Sequence, residues 1–395
     1  MSDVLEGVRI LDLSRLLPGP YATQLLADLG ADVVKIEEPG RGDYARGYGL
    51  RLGEHGAHFA LLNRSKRSVA LDLKRPAARD AFLRLADRAD VVVESFRPGV
   101  MDRLGLGAEL LRARNPRLVY CAISGYGQDG PYRDRPGHDL NYCATAGAIS
   151  LSGPPDPDAD PALQGCQLAD VGGGALMAVM GVLAALLARA RTGAGQVVDV
   201  SMLEGTASLL TYAFAELFAR RARGEPPAAA APRRGTARLH GGRPGYGVYR
   251  CQDGRHVALA ALEEKFWARF CALAGRPDLA PRHAPATPAD VAALRAELDA
   301  LFATRPRDEW VALMAADEVC LTPVHDLAEA AADPQLQARG FFTALPDGTP
   351  QLAFPVKLSA TPARPPSPAP ALGAHTRALL AEAGLSEAEI AAALD

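Results

Sequence analysis

Short apolar runs alternate with stretches of helical period through the first third of the chain. Residues 8–13 (VRILDL) form a β-rich run. A Pro/Gly loop, an apolar-periodic helix over about residues 21–29 and a second strand at 32–36 follow it. A strand at 67–73 leads into a helix opened by Pro76, where Ala78, Ala81, Phe82, Leu85, Ala86 and Ala89 keep the spacing that buries one face. Residues 90–96 (DVVVESF), a helix near 106–114 and residues 118–124 (LVYCAIS) continue the alternation. Such a series predicts an α/β fold with a parallel, doubly wound sheet. The apolar run 171–188 approaches membrane-spanning length. Its glycines and alanines and the preceding Asp170 make it a buried helix rather than a span. Residues 220–243, rich in Arg, Ala, Pro and Gly, read as an extended linker and a domain boundary. Beyond it YGVYRCQDGRHVALAAL reads as a hairpin turning at Asp253-Gly254, followed by helices to about residue 336 in a smaller α+β domain. A Pro-rich tract, 361–370, precedes a short tail helix from Thr376.

Composition narrows the functional classes. At 395 residues the chain is long enough for two or three domains. Its 43 Lys+Arg against 46 Asp+Glu leave a net charge of −3, so no positive field exists to hold nucleic acid or an anionic membrane. Only five of the basic residues are lysines, which points to a coding bias and weakens any argument from scattered arginines. Cys121, Cys143, Cys166, Cys251, Cys271 and Cys320 include no Cys-x-x-Cys, so neither a disulfide framework nor a zinc site is expected. Free thiols and the lack of a leader or address tag suggest the cytoplasm. After the first strand, Ser14-Arg15-Leu16-Leu17-Pro18-Gly19-Pro20 lacks the Gly-x-Gly-x-x-Gly phosphate turn, which argues against bound NAD or FAD. Walker-type, His-Glu-x-x-His and Gly-x-Ser-x-Gly motifs are missing as well.

Three titratable residues stand out by position. His138 follows a Gly/Pro-rich loop on the C-terminal side of a strand, where α/β folds place their sites, although most lone histidines are simply satisfied by local hydrogen bonds. Asp170 precedes Val171-Gly172-Gly173-Gly174 and the apolar helix. It suits a carboxylate beside a helix N-terminus and equally an ordinary N-cap. Glu263 opens a helix after a strand and reads equally well as a solvated first-turn acid. Arg97 and Arg103, after the strand DVVVESF, could meet a phosphate or simply face solvent.

Taken together, LPGPYATQLLADLGADVVKIEEPG, NRSKRSVALDLK, ESFRPGVMDRLGLG, GHDLNY, LADVGGGALM, TGAGQVVDVSMLEG and GAHTRALL resemble the family III CoA-transferase superfamily, and within it the α-methylacyl-CoA racemases. The resemblance implies a Rossmann-like large domain built from both chain ends, a small domain and an interlocked homodimer. In this chain that gives residues 1–200 and 337–395 to the large domain, 201–243 to a linker and 244–336 to the small domain. It also implies an acyl-CoA thioester as the substrate that brings the coenzyme, with no further cofactor, metal, nucleic acid or membrane. The CoA contacts it points to are Leu71, Ser95, Phe96, Arg97, Arg103, Gly137, Asp139, Leu140, Asn141 and Tyr142. The family's adenine-side arginine is here Glu38.

The aspartate at Asp170 is common to both branches, as acid/base in racemases and as the nucleophile forming an aspartyl-CoA thioester in transferases. Gly137 to Tyr142 matches the racemase motif, with His138 the discriminating residue and Glu263 its implied partner. Glu264-Lys265 in place of Pro-Gln, and the transferase-like HGAHFALLN at 55–63, depart from that pattern. Inverting a carbon α to a thioester requires removing a proton from one face and returning one to the other, with an enolate between. His138 and Asp170 are the expected pair, Glu263 would orient the imidazole, and the backbone N–H groups of Gly172 to Gly174 are expected at the enolate oxygen. CoA transfer through Asp170 is the alternative, and a CoA-ester binding protein without chemistry the third.

Overall fold

The computed structural model describes residues 3–156, 158–315 and 317–395. The chain divides into two compact units, one of residues 1–146, 166–209 and 334–395 and the other of residues 147–165 and 210–333.

The first unit is built on six parallel strands: β1 (Arg9–Asp12), β2 (Asp32–Glu37), β3 (Arg67–Ala70), β4 (Val91–Glu94), β5 (Val119–Ser124) and β6 (Val197–Ser201). Their order across the sheet is β3-β2-β1-β4-β5-β6. The connections leave β1 in opposite directions, so a crevice opens at the C-terminal ends of β1 and β4, the place where such sheets hold ligands. Helix α1 (Pro18–Asp28) starts earlier than its apolar period suggests, because Pro18 and Pro20 already suit a first turn. Helix α2 (Pro76–Ala86) buries Ala78, Ala81, Phe82, Leu85 and Ala86. The same core takes Leu379, Leu380, Ile390 and Ala393 from the C-terminal helices Thr376–Glu382 and Glu387–Leu394, so both ends of the chain complete one unit.

A buried ionic cluster ties β1, β2 and the approach to β3. Lys66 Nζ donates to Asp12 Oδ2 (2.9 Å), Thr23 Oγ1 (2.8 Å) and Asn63 Oδ1 (2.9 Å), while Lys35 Nζ lies 4.0 Å from Asp12 Oδ2. Asp12, Lys35 and Lys66 side chains are fully buried. The two ammonium groups and the Ser14 and Thr23 hydroxyls overcome the burial penalty on Asp12 and hold its carboxyl far below the usual range.

Two expectations are corrected here. Residues 220–243 are not an extended linker: helix Thr211–Ala222 runs into them and the short helix Pro227–Ala230 follows, while the rest of the expected 201–243 linker is taken up by the end of β6 at Ser201 and the helix Met202–Leu209. The Leu, Ala, Phe and Glu content of these helices favours helix between the Pro/Gly breaks. The apolar run is not a uniformly buried helix. Wide π-type turns over Leu168–Leu176 pass into a helix, Met177–Thr192, whose Ala178, Val182 and Ala185 are buried while Leu176, Met180 and Leu187 stay exposed. Leu168–Thr192 is long and apolar enough to cross a membrane, with mean hydropathy 2.2, yet one face packs on β5 and β6.

The glycine run serves packing. A Cβ on Gly173 would lie 2.6 Å from Met202 O and 2.8 Å from Thr206 N. One on Gly205 would lie 2.1 Å from Gly173 O, so two backbones cross in near contact. Gly205→Val is therefore expected to destabilise the protein by roughly 3 kcal/mol or more, the upper range for overpacking, read as a lowered urea midpoint.

In the second unit the strands Tyr246–Arg250 and His256–Ala260 form the expected hairpin, with Gly254 at φ 80° in its turn and Leu321–Pro323 as the third strand. Its core stacks Tyr249, Phe270, Phe302, Trp267 and Trp310.

Candidate active site

The crevice holds two neighbouring cavities formed wholly by the first unit. The larger, about 760 Å³, is lined by Ser95, Phe96 and Arg97 after β4, Gly125 and Tyr126 after β5, and Gly137, His138, Asn141, Tyr142 and Asp170. The smaller, about 470 Å³, takes Leu71, Asp72 and Lys74 after β3, Glu38 after β2, and Val100 and Leu104. Arg15, Tyr44 and Phe96 line both, so together they suit a long bent ligand. Arg15 lies over the Tyr44 and Phe96 rings at 5.3 and 5.2 Å. Phe96 is fixed in turn by Glu94, whose Oε2 accepts its N–H at 2.7 Å; burial raises that carboxyl to about 7.

His138 projects from the start of helix Asp139–Ala146. Its N–H donates to Asn141 Oδ1 (3.0 Å) and its C=O accepts from Asn141 N–H (2.8 Å), the geometry of a helix cap. The Tyr142 ring slots between Gly125 and Gly137, where added Cβ atoms would lie 2.4 and 2.6 Å from its Cε1, and its hydroxyl donates to Gly137 O (2.6 Å). Any side chain at either glycine would expel the ring and shift the histidine with it. The imidazole itself is exposed and makes no hydrogen bond among the described residues.

Asp139 does not line the larger cavity. Its Oδ1 accepts the N–H groups of Ala169 (2.7 Å) and Asp170 (3.0 Å), capping the segment that carries Asp170. Burial raises the Asp170 carboxyl to about 6, the Asp139 charge adds to the rise, and His138 opposes it. Asp139→Asn keeps the acceptor and removes the charge. It is expected to lower the Asp170 pKa with little loss of stability, whereas Asp139→Ala also loses the cap, about 1 kcal/mol. A carboxyl-resolved NMR titration and a melting curve on each variant check this.

Of the residues implied by resemblance, Ser95, Phe96, Arg97, Gly137, Asn141 and Tyr142 line the larger cavity and Leu71 the smaller, while Arg103 and Leu140 are exposed and line neither. Glu263 belongs to the second unit, exposed at the N-cap of Glu264–Leu273. The expected enolate site at Gly172 to Gly174 is corrected: none of these glycines lines the larger cavity, because the run is occupied by helix packing. The Asp139 and Leu140 N–H groups, at the first turn beside His138, have no partner among the described residues. Arg15, Tyr44, Arg133, Arg135 and Met202 line the larger cavity unannounced. Lys74, 3.6 Å from Glu38, supplies a cation at the far end of the smaller one.

Comparison with known proteins places the chain. The profile of CoA-transferase family III matches residues 5–376. Alpha-methylacyl-CoA racemase of Mus musculus is 37% identical over 390 residues, 98% of this chain and 95% of that protein. Acetyl-CoA:oxalate CoA-transferase of Acetobacter aceti is 38% identical over 339 residues, 85% and 84% of the two chains. The crystal structure of a CAIB/BAIF family protein from Brucella suis superposes with a TM-score of 0.84 at 32% identity, covering 97% of this chain and 100% of that one. With sequence and fold in agreement over nearly its whole length, the chain belongs to CoA-transferase family III.

Proposed function

We propose that the protein is an acyl-CoA racemase that interconverts 2-methylacyl-CoA epimers by removing and returning the α-proton. The observation that carries this reading is the pairing of an exposed His138 with a largely buried Asp170 whose carboxyl is raised to about 6 in one cavity. A carboxyl raised to about 6 can both hold and release a proton within reach of neutral pH, as an acid–base group must. In one direction neutral His138 takes the α-proton and protonated Asp170 delivers one to the opposite face. In the other, Asp170 is the base and the imidazolium the acid. The acyl-CoA would run from the larger cavity past Arg15, Tyr44 and Phe96 into the smaller one.

Both working forms of the pair carry one proton. The profiles of kcat/KM against pH are therefore expected to coincide in the two directions and to fall both at low pH, where the pair takes up a second proton, and at high pH, where it loses the last one. The testing variant is His138→Ala, expected to abolish α-proton exchange; equal retention of exchange in variant and wild type would overturn the reading.

The alternative is CoA transfer between carboxylic acids through an Asp170 thioester, and the similarity to an oxalate CoA-transferase favours it. Hydroxylamine trapping at Asp170 during turnover with an acceptor acid would reveal it. We further propose that a second copy of the chain covers the exposed Leu176, Met180 and Leu187 face, so that sedimentation shows a dimer.

A further inference from the structure

The loop between β1 and α1 is anchored from below at three consecutive residues. Ser14 N–H donates to Asp12 Oδ1 (2.9 Å) and Ser14 C=O accepts from Lys35 Nζ (2.9 Å). Arg15 N–H donates to Ser95 Oγ (3.2 Å), and Leu16 N–H points at both carboxylate oxygens of Asp43, each at 3.2 Å. Leu16 has φ 65°; it and Ser65 are the non-glycine residues in the left-handed region among the described residues. In that conformation a leucine Cβ crowds the following carbonyl, so the backbone persists only where its surroundings over-determine it.

Asp43 supplies that constraint. Its carboxylate lies 3.0 Å from Lys35 Nζ, and both side chains are fully buried. Asp43 is itself held, accepting from Ala45 N–H (3.0 Å) and donating its own N–H to Glu37 Oε1 (3.0 Å). Buried ion pairs seldom add net stability over apolar packing, because desolvation offsets their attraction. A pair whose remaining acceptor capacity goes to two backbone N–H groups, Ala45 in its own turn and the strained Leu16 across the cavity wall, therefore points to placement rather than stability. What it places is a cavity wall: Leu16 lines the larger cavity together with His138 and Asp170.

We propose that the Lys35–Asp43 pair is a positioning element for acyl recognition, holding Leu16 left-handed so that its side chain forms the wall that distinguishes acyl groups branched at C2 from unbranched ones. This rests on the reading of the cavity as an acyl-CoA site. Lys35 and Asp43 do not touch the ligand; they act through Leu16.

The test is calorimetric titration of the full-length protein with 2-methylpropanoyl-CoA, butanoyl-CoA and free CoA. Asp43→Asn is expected to change the ratio of the two thioester dissociation constants about five-fold or more while moving that of free CoA less than roughly two-fold, the scale on which a pocket reads one methyl group. In a Leu16→Gly background the same substitution is expected to leave the ratio unchanged, because the strained residue has gone. Where Asp43→Asn fails to fold, Leu16→Ala and Leu16→Gly carry the test. Both truncations shift the ratio, and the glycine variant melts at the higher temperature because only it accepts the left-handed backbone. A ratio indifferent to Leu16 substitution, an Asp43→Asn effect equal in both backgrounds, or an alanine variant melting at or above the glycine one overturns the positioning role. A wild type that binds none of the three ligands overturns the acyl-CoA reading on which it rests.

Discussion

Asp170→Asn is expected to abolish epimerisation and to make the protein more stable above pH 6. The folded-state pKa of Asp170 is raised from 3.8 to about 6, chiefly by burial, so the fold prefers the protonated form. The resulting contribution to stability is complete below about pH 3.8 and is lost as pH rises through about 6. A shift of about two units corresponds to an upper bound of roughly 3 kcal/mol, the cost the ionised carboxylate imposes at pH 8. Asparagine never ionises. Urea unfolding should therefore show variant and wild type nearly equal at pH 4 and the variant more stable at pH 8. Equal midpoints at pH 8 would mean that the carboxylate is adequately solvated. The experiment also separates roles, since a residue retained for packing would not trade stability for activity in this way.

Asp12→Ala is expected to be the most damaging single change to the fold. It leaves the Lys66 ammonium buried without its carboxylate, takes from Lys35 the second of its two carboxylates while Asp43 remains, and removes the acceptor of Thr23 Oγ1 at 2.6 Å. Breaking a buried ion pair from one side costs about 3–5 kcal/mol, and here two cations are affected, so most of a typical stability margin is consumed. Asp12→Asn keeps a hydrogen-bond acceptor and should lose less. Soluble yield and urea midpoints of the two variants check the order; equal loss would show that shape rather than charge matters at this position.

The parallel sheet was legible because β-rich runs and helical periods alternate cleanly over residues 8–124, and each strand of β1 to β5 lies within the run that announced it except β2, which passes it by one residue at Glu37. Its order followed less directly, since no local signal says that the chain reverses direction at β1. The glycine run was misread because a glycine that admits a ligand and one that admits another backbone look alike in sequence; Gly205 is the partner that decides it. Arg15 and Tyr44 escaped notice because an arginine-biased chain makes one more arginine unremarkable. The same bias did contain a signal. In a chain with five lysines, Lys35 and Lys66 sit where a compact ammonium meets several oxygens at full burial, a setting a planar guanidinium cannot fill. The constraint on Leu16 was hidden because left-handed backbone at a leucine follows from Asp43, which is 27 positions away.

The central claim is that this site moves an α-proton. Incubating the protein in D2O with a single-enantiomer 2-methylacyl-CoA and no acceptor acid, then following deuterium at C2 together with the epimer ratio, tests it most directly. The account predicts deuterium incorporation accompanied by epimerisation, with epimerisation lost in Asp170→Asn. Thioester that binds but keeps its hydrogen and its configuration would contradict it and leave CoA transfer through Asp170 as the chemistry to pursue.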